Sequence, residues 1–154
     1  MVGAIRLTKG TLFGVGFAPF LWLAAPPAYV GPAACLPCHR PQAESVGPHP
    51  HEGSFARLAK EGSGAIAACV ICHVTGFGQP GGWLDPVATP ELARVGCEAC
   101  HGPGGAHAAD PDATPLSPPT AETCRRCHTV EQDSRFDFDA MKRTIHPLPE
   151  SPAP

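Results

Sequence analysis

Four copies of one five-residue pattern, Cys-x-x-Cys-His, are the part of this sequence best suited to chemistry. Two thiols separated by two residues can add to the vinyl groups of one haem, and the histidine that follows can ligate its iron. All eight cysteines lie in these motifs. The pattern therefore predicts four covalently bound haem c groups, held by Cys35, Cys38 and His39; Cys69, Cys72 and His73; Cys97, Cys100 and His101; and Cys124, Cys127 and His128.

Zinc binding and disulfide pairing are the two alternatives for so many cysteines. Paired Cys-x-x-Cys units can bind zinc, and exported chains with even cysteine counts can form disulfide frameworks. Neither alternative requires a histidine directly after every pair, whereas haem attachment does. The sequence therefore favours haem.

Four further histidines are candidates for the other axial position of the irons: His51, His107, His146 and, more weakly, His49. His107 follows a glycine-rich stretch, which lets the backbone pass close to a macrocycle. His49 and His51 share one short segment, so both can serve only if two haems converge there or if a second chain takes one of them. Four spare histidines for four haems predict mainly bis-histidine ligation, and Met141 is expected to pack rather than to ligate.

The N-terminus has the pattern of a targeting segment. Arg6 and Lys9 precede an apolar run over residues 11–25 that is short for a membrane span. We expect a signal peptide over residues 1–28, with an uncleaved membrane anchor as the alternative. Export to the periplasm or beyond fits covalent haem, which is attached outside the cytoplasmic membrane. A haem domain over residues 29–146 and a disordered tail over residues 147–154 complete the predicted organisation.

Composition explains why such a domain would need its cofactors. The chain has 20 prolines and 17 glycines, and residues 29–154 provide only about 31 residues for each motif, too few for an ordinary aliphatic core. The haems are therefore expected to form most of the interior, with Phe77, Trp83, Phe136 and Phe138 at their edges. Without Arg6 and Lys9, nine basic residues face fourteen acidic ones, which argues against a nucleic-acid partner.

The expected secondary structure is sparse and helical. Helices are predicted over residues 33–46, 54–61 and 138–146, and from Thr120 through the fourth motif. Residues 76–90 and 102–119 have loop composition, and no stretch shows the alternation of a strand. The predicted fold is mostly α with extensive loops and little or no β structure, compact and packed around haem.

Several of these segments resemble the cytochrome c-554 family of tetrahaem cytochromes. The resemblance lies in Tyr29-Val30-Gly31 before the first motif, in His51 followed by Phe55, and in residues 72–78, 96–104 and 136–138. It implies a mostly helical electron carrier in which His107 is the distal ligand of the haem on His39. It also implies that His51 and His146 between them serve the haems on His128 and His101.

The resemblance leaves the haem on His73 open, because the family's founding type has no distal histidine there, and His49 is a spare candidate. A related group of tetrahaem cytochromes forms extracellular filaments in which a neighbour supplies an axial histidine. The sequence therefore predicts an electron-transfer protein with unidentified redox partners rather than an enzyme. The alternatives are a homopolymeric filament subunit and a small-molecule reductase working at a five-coordinate haem on His73.

Overall fold

The computed structural model of the chain describes residues 28–146. The predicted signal peptide, apart from its last residue, and the predicted tail over residues 147–154 lie outside the described residues. Between residues 28 and 146, every helix is too short or too polar to cross a membrane.

Short helices joined by loops make up the described part of the chain, and no strand occurs between residues 28 and 146. The prediction of a mostly α fold with extensive loops is therefore confirmed. The α-helices are α1 (Leu36–Val46), α2 (Ser54–Lys60), α3 (Ala67–Val70), α4 (Cys97–His101), α5 (Gly105–Ala109), α6 (Ala121–Arg125) and α7 (Phe138–Ile145), with 3₁₀ turns at Pro32–Ala34 and Pro90–Leu92.

Local signals at the helix ends explain why three predicted helices form. Thr120 caps α6 by accepting a hydrogen bond from the Thr123 amide, and the Thr123 hydroxyl accepts one from the Thr120 amide in return. The Asp137 carboxylate caps α7 through the Ala140 amide at 2.9 Å. α2 ends before Gly62, which has a φ of +78° that side chains disfavour.

Three predictions of secondary structure were wrong. The helix predicted from Thr120 through the fourth motif ends at Arg125, before the second cysteine of that motif. The single helix predicted over residues 33–46 is divided into a 3₁₀ turn and α1, and α1 itself is kinked at His39. Pro41 lies inside α1 and has no N–H with which to continue the helical hydrogen bonds. The loop predicted over residues 102–119 contains α5. The prediction followed the glycines and prolines of this stretch, whereas the alanines after Gly105 favour a helix.

The protein's own hydrophobic core is small and is centred on α2. It consists of six buried apolar side chains within the described residues: Phe55, Leu58, Val70, Val74, Trp83 and Leu92. The Trp83 ring packs between Phe55 and Phe77, with ring centroids at 5.2 and 5.9 Å. Trp83, expected at a haem edge, is thus part of this protein core. Val70 of the second motif belongs to this core, whereas the first, third and fourth motifs contribute no side chain to it.

Buried Thr75 joins the second motif to the third. Its amide donates to the Leu92 carbonyl at 2.9 Å, and its hydroxyl donates to the Arg94 carbonyl at 2.7 Å. The same hydroxyl accepts a hydrogen bond from the Gly96 amide at 3.0 Å, directly before Cys97. These contacts fix the start of α4 relative to residues just after His73.

Glu98, inside the third motif, holds the N-terminal segment in place. Its side chain is only 4% exposed, and its two carboxylate oxygens accept hydrogen bonds from the amides of Val30, Gly31 and Gly104 at 2.7–3.1 Å. Gly31 has a φ of +74°, and a Cβ there would meet the Glu91 side chain at 2.7 Å. A buried charge of this kind is tolerated because backbone donors surround it.

Replacing Glu98 with glutamine should destabilise the fold. In either orientation, the amide NH₂ of Glu98→Gln would face a backbone donor that now points at the carboxylate, and at least one buried N–H would lose its partner. We expect the free energy of unfolding to fall by about 2–3 kcal/mol, measured by urea titration of the circular dichroism of the haem-loaded protein. Exposed Glu44 provides the control, and equal losses in Glu98→Gln and Glu44→Gln would contradict this account.

Candidate functional site

Each Cys-x-x-Cys-His motif is wound into a helical turn. In the first motif the His39 amide donates to the Cys35 carbonyl at 2.9 Å, and in the fourth the His128 amide donates to the Cys124 carbonyl at 3.0 Å. Residues three and four apart on such a turn share one face. The local fold therefore brings two thiols and one imidazole of each motif to the same side of the backbone.

The thiols also show which motifs are neighbours. Burial raises the pKa of Cys35 to about 11, and a hydrogen bond with Cys97 adds to the effect. Burial likewise raises the pKa of Cys127 to about 12, helped by a hydrogen bond with Cys72. The pKa of Cys100 is raised to about 11, first by burial and then by Cys124. In space the motifs therefore follow the order first, third, fourth, second.

Three pairs of histidine rings face each other, and each joins a motif histidine to one of the spare histidines. The ring centroids are 6.2 Å apart for His39 and His107, 5.9 Å for His51 and His128, and 6.4 Å for His101 and His146. The structure thus brings together the pairs that the family resemblance implies. It also pairs His51 with His128 and His146 with His101, an assignment that the sequence left open.

The separation of these pairs matches the space that one metal ion needs. With metal–nitrogen bonds of about 2 Å and a distance of about 1.2 Å from ring centre to nitrogen, two imidazoles across an iron place their centroids about 6.4 Å apart. The rings of His49 and His51 lie closer, with centroids 4.6 Å apart and planes tilted by 53°. The three pairs thus have centroid separations compatible with one iron between the rings, and the His49–His51 pair is too close for that.

Hydrogen bonds at Nδ1 prepare several of these rings for ligation. Nδ1 of His73 lies 3.1 Å from the Ser54 carbonyl oxygen, that of His101 lies 3.3 Å from the Ser117 carbonyl oxygen, and that of His107 lies 3.0 Å from the Thr114 carbonyl oxygen. A carbonyl oxygen can only accept, so Nδ1 carries the hydrogen and Nε2 of the neutral ring keeps its lone pair. Second-shell bonds of this kind orient metal-ligating histidines.

His128 and His146 bond to side chains instead. Nδ1 of His128 lies 2.9 Å from a carboxylate oxygen of Asp133, and Nδ1 of His146 lies 3.2 Å from the Ser45 hydroxyl. The Phe136 ring stacks on His128 with centroids 4.5 Å apart. These contacts restrict the orientation of the His128 and His146 rings.

Burial lowers the pKa of three of the spare histidines, His49, His51 and His146. It lowers the pKa of His51 to about 4, with His49 and His128 acting in the same direction. The pKa values of His49 and His146 are also lowered, mainly by burial and then by a neighbouring histidine. At neutral pH these rings are unprotonated, which is the state that binds a metal.

His73 stands apart from the other motif histidines. In the described part of the chain no second histidine ring faces it, and its nearest partner is Ser54. His49 instead lies beside His51, and its Nδ1 accepts a hydrogen bond from the His51 amide at 3.3 Å. Within one chain the fold places His49 beside His51 and not opposite His73. Ligation of the His73 haem by His49 therefore stays a prediction.

All eight cysteines are unpaired. Between residues 28 and 146, no group of three or more histidine, cysteine, aspartate or glutamate side chains is arranged to hold a metal ion. Met141 lies on α7 and is 43% exposed, and its expected packing role stays a prediction.

Ser54 and Asp133 are site residues that the sequence pattern does not reveal. Ser54 is separated from His73 by 19 positions, and no spacing rule connects them. Asp133 follows His128 by five positions, a separation that corresponds to no regular helical face. Both contacts depend on how loops return to a motif, which composition cannot specify.

Three comparisons with known proteins each find a similarity to cytochrome c554. Residues 34–102 match the model of the family described as cytochrome c554 and c-prime. Cytochrome c-554 of Nitrosomonas europaea is 38% identical over 97 residues, which cover 53% of this chain and 41% of that protein. The chain thus spans less than half the length of this relative. A solved structure of reduced cytochrome c554 from Nitrosomonas europaea matches with a TM-score of 0.64 and 26% identity, covering 77% of this chain and 83% of that one.

The Ser54 hydroxyl should be needed to hold the second motif. It donates to the His73 carbonyl at 2.8 Å and accepts from the Val95 amide at 3.1 Å, and Ser54 is 6% exposed. Ser54→Ala removes both bonds, and we expect the free energy of unfolding to fall by about 2 kcal/mol in urea titrations. Ser63→Ala is the control, because Ser63 follows α2 and is only partly buried. A Ser54→Ala protein as stable as the control would refute this role.

Proposed function

We propose that this chain belongs to the cytochrome c554 family, which it resembles in sequence and fold, and that it is an electron-transfer protein with four covalently bound c-type haems. When bound, haem iron supplies the one-electron chemistry, and the protein supplies attachment, orientation and access. The thiols of the four motifs would form the thioether bonds, and the proximal iron ligands would be His39, His73, His101 and His128.

The observation that carries this proposal is the spacing of the three facing histidine pairs. Separations of 5.9–6.4 Å between ring centroids are close to the value of about 6.4 Å expected for two imidazoles that ligate one iron from opposite sides. Each pair combines a motif histidine with a histidine far away in sequence, so chance proximity within one loop does not explain it. We assign His107, His51 and His146 as distal ligands of the haems on His39, His128 and His101.

The small core supports the same proposal. Six buried apolar side chains in the described residues cannot offset the ordering of so long a chain by themselves. Apolar side chains also stand exposed beside the motifs: Leu36 is 39% exposed within the first motif and Ile71 is 55% exposed within the second. Four porphyrins would cover such surfaces and extend the interior.

The spatial order of the motifs supports a continuous path for electrons. A hydrogen bond between thiols joins the first motif to the third, and another joins the fourth to the second, while Cys100 of the third and Cys124 of the fourth are near enough to interact electrostatically. Haems attached to neighbouring thiols would lie close together. Electrons would therefore enter and leave at the first and second motifs, which stand at the two ends of this order.

Full axial ligation at three haems favours electron transfer over catalysis, because it leaves no open coordination position there. His73 has no histidine opposite it among the described residues, and this observation favours a secondary capacity to bind a small ligand at that haem. A filament subunit would use His49 between chains. For the location we propose the periplasm or the cell exterior, with redox proteins as partners.

Ligation and stoichiometry can be tested together. We expect a pyridine haemochrome assay to give four haems per chain, and low-temperature electron paramagnetic resonance to show three low-spin centres and one with high-spin character. His107→Ala should convert one low-spin centre to high spin, because the His39 haem loses its distal ligand. Addition of imidazole should restore the low-spin signal.

His49→Ala is the matched control, and in the dilute protein it should leave all four signals unchanged. A spectrum of His107→Ala identical to wild type would refute the ligand assignment. Loss of a low-spin signal in His49→Ala, together with fibres in wild-type micrographs, would favour the filament. Absence of haem from the exported protein would refute the proposal altogether.

A further inference from the structure

The four motif histidines differ in what their Nδ1 atoms contact. Those of His73 and His101 lie against backbone carbonyl oxygens, whereas Nδ1 of His128 lies 2.9 Å from a carboxylate oxygen of Asp133. In the described part of the chain, His128 is the one motif histidine with an anionic partner. A carboxylate withdraws the Nδ1 hydrogen more strongly than a carbonyl does, and it makes the ring a better electron donor.

A tight turn after the fourth motif holds Asp133 in position. The amides of Gln132 and Asp133 both donate to the Thr129 carbonyl, at 3.2 and 2.8 Å. The Phe136 amide donates to the Asp133 carbonyl at 3.1 Å, and its ring stacks on His128 with an interplanar angle of 23°. The turn therefore places a carboxylate at the edge of the imidazole and an aromatic ring against its face.

The charge on Asp133 is not cancelled by another ion pair within residues 28–146. It forms an ion pair with His128, and the side chains of Asp133 and His128 are 35% and 33% exposed. Partial exposure weakens the field of a carboxylate, but direct contact with a ligand acts through the hydrogen bond itself. Arg125 and Arg126 lie in the same motif, where burial raises the pKa of Cys124 and their positive charges act to lower it. Because these charges oppose that of Asp133, its effect is best measured as the difference between the wild-type protein and a variant.

We propose that Asp133 is a positioning residue that lowers the reduction potential of the haem attached at the fourth motif. The inference rests on the proposed function, since it requires haem at Cys124 and Cys127. By holding the Nδ1 hydrogen of His128, the carboxylate increases electron donation to ferric iron and disfavours its reduction. The fourth motif lies between the third and the second in space, so Asp133 would set the driving force at an inner step of the path.

Asp133→Asn separates charge from orientation. The asparagine side-chain oxygen can still accept the Nδ1 hydrogen, so the ring keeps its position while the negative charge is lost. We expect one of the four midpoint potentials to rise by about 59 mV, corresponding to a tenfold change in a one-electron equilibrium constant. The other three should stay in place, and the g-values of one low-spin signal should change in the same variant.

The measurement is a potentiometric titration of the four-haem protein, followed by visible absorption and paramagnetic resonance. Asp137→Asn is the matched control: it removes the same charge nearby but retains the cap of α7. Asp133→Glu keeps the charge and should keep the wild-type potential. If Asp133→Asn does not accumulate, Asp133→Ser removes the same charge and the same expectation applies.

The outcomes separate the two proposals. Four haems with unchanged potentials in the charge-removing variant, or a shift no larger than in Asp137→Asn, would overturn the role of Asp133 and leave electron transfer standing. An equal shift in Asp133→Glu would also overturn it, because that variant keeps the negative charge to which the effect is attributed. A wild-type protein without haem would refute the proposed function itself.

Discussion

A shortage of apolar interior is the constraint on which the rest of this structure depends. Six buried side chains around α2 form the protein's own core, and the turns that carry the first, third and fourth motifs lie beyond it. Packing alone therefore cannot position those turns. Polar contacts hold the first and third motifs instead, through Glu98, Thr75 and Ser54, each of which joins backbone groups from distant parts of the chain. Such contacts are directional, so they can fix the positions of motifs to which a small core supplies few packing contacts.

The segment between His51 and Ser54 shows how closely the motifs are connected. His51 faces His128 of the fourth motif, while Ser54 holds His73 of the second through its carbonyl and hydroxyl groups. The Val95 amide contacts both residues, at the His51 carbonyl and the Ser54 hydroxyl. A shift of α2 would thus be felt at two motifs together. The proposed carrier is better described as one rigid arrangement than as four independent sites.

Sequence reasoning accounts for the chemistry and part of the fold. The Cys-x-x-Cys-His motifs, the helix at Ser54–Lys60 and the caps at Thr120 and Asp137 follow from local rules. The kink at His39 and the helix Gly105–Ala109 were missed, because proline and glycine act differently in each tertiary context. The spare histidines were recognisable as candidates, but the facing of His51 with His128 depends on a fold that no spacing encodes. Ser54 and Asp133 were beyond reach for the same reason.

The bond between Glu98 and the N-terminal segment has a consequence for biosynthesis. Val30 and Glu98 are separated by 68 positions, so the segment preceding the first motif cannot close until the third motif has been made. In the exported cytochrome proposed above, the first Cys-x-x-Cys-His would stay uncovered throughout that interval. Haem would then be attached to this motif while the chain around it is still unfolded.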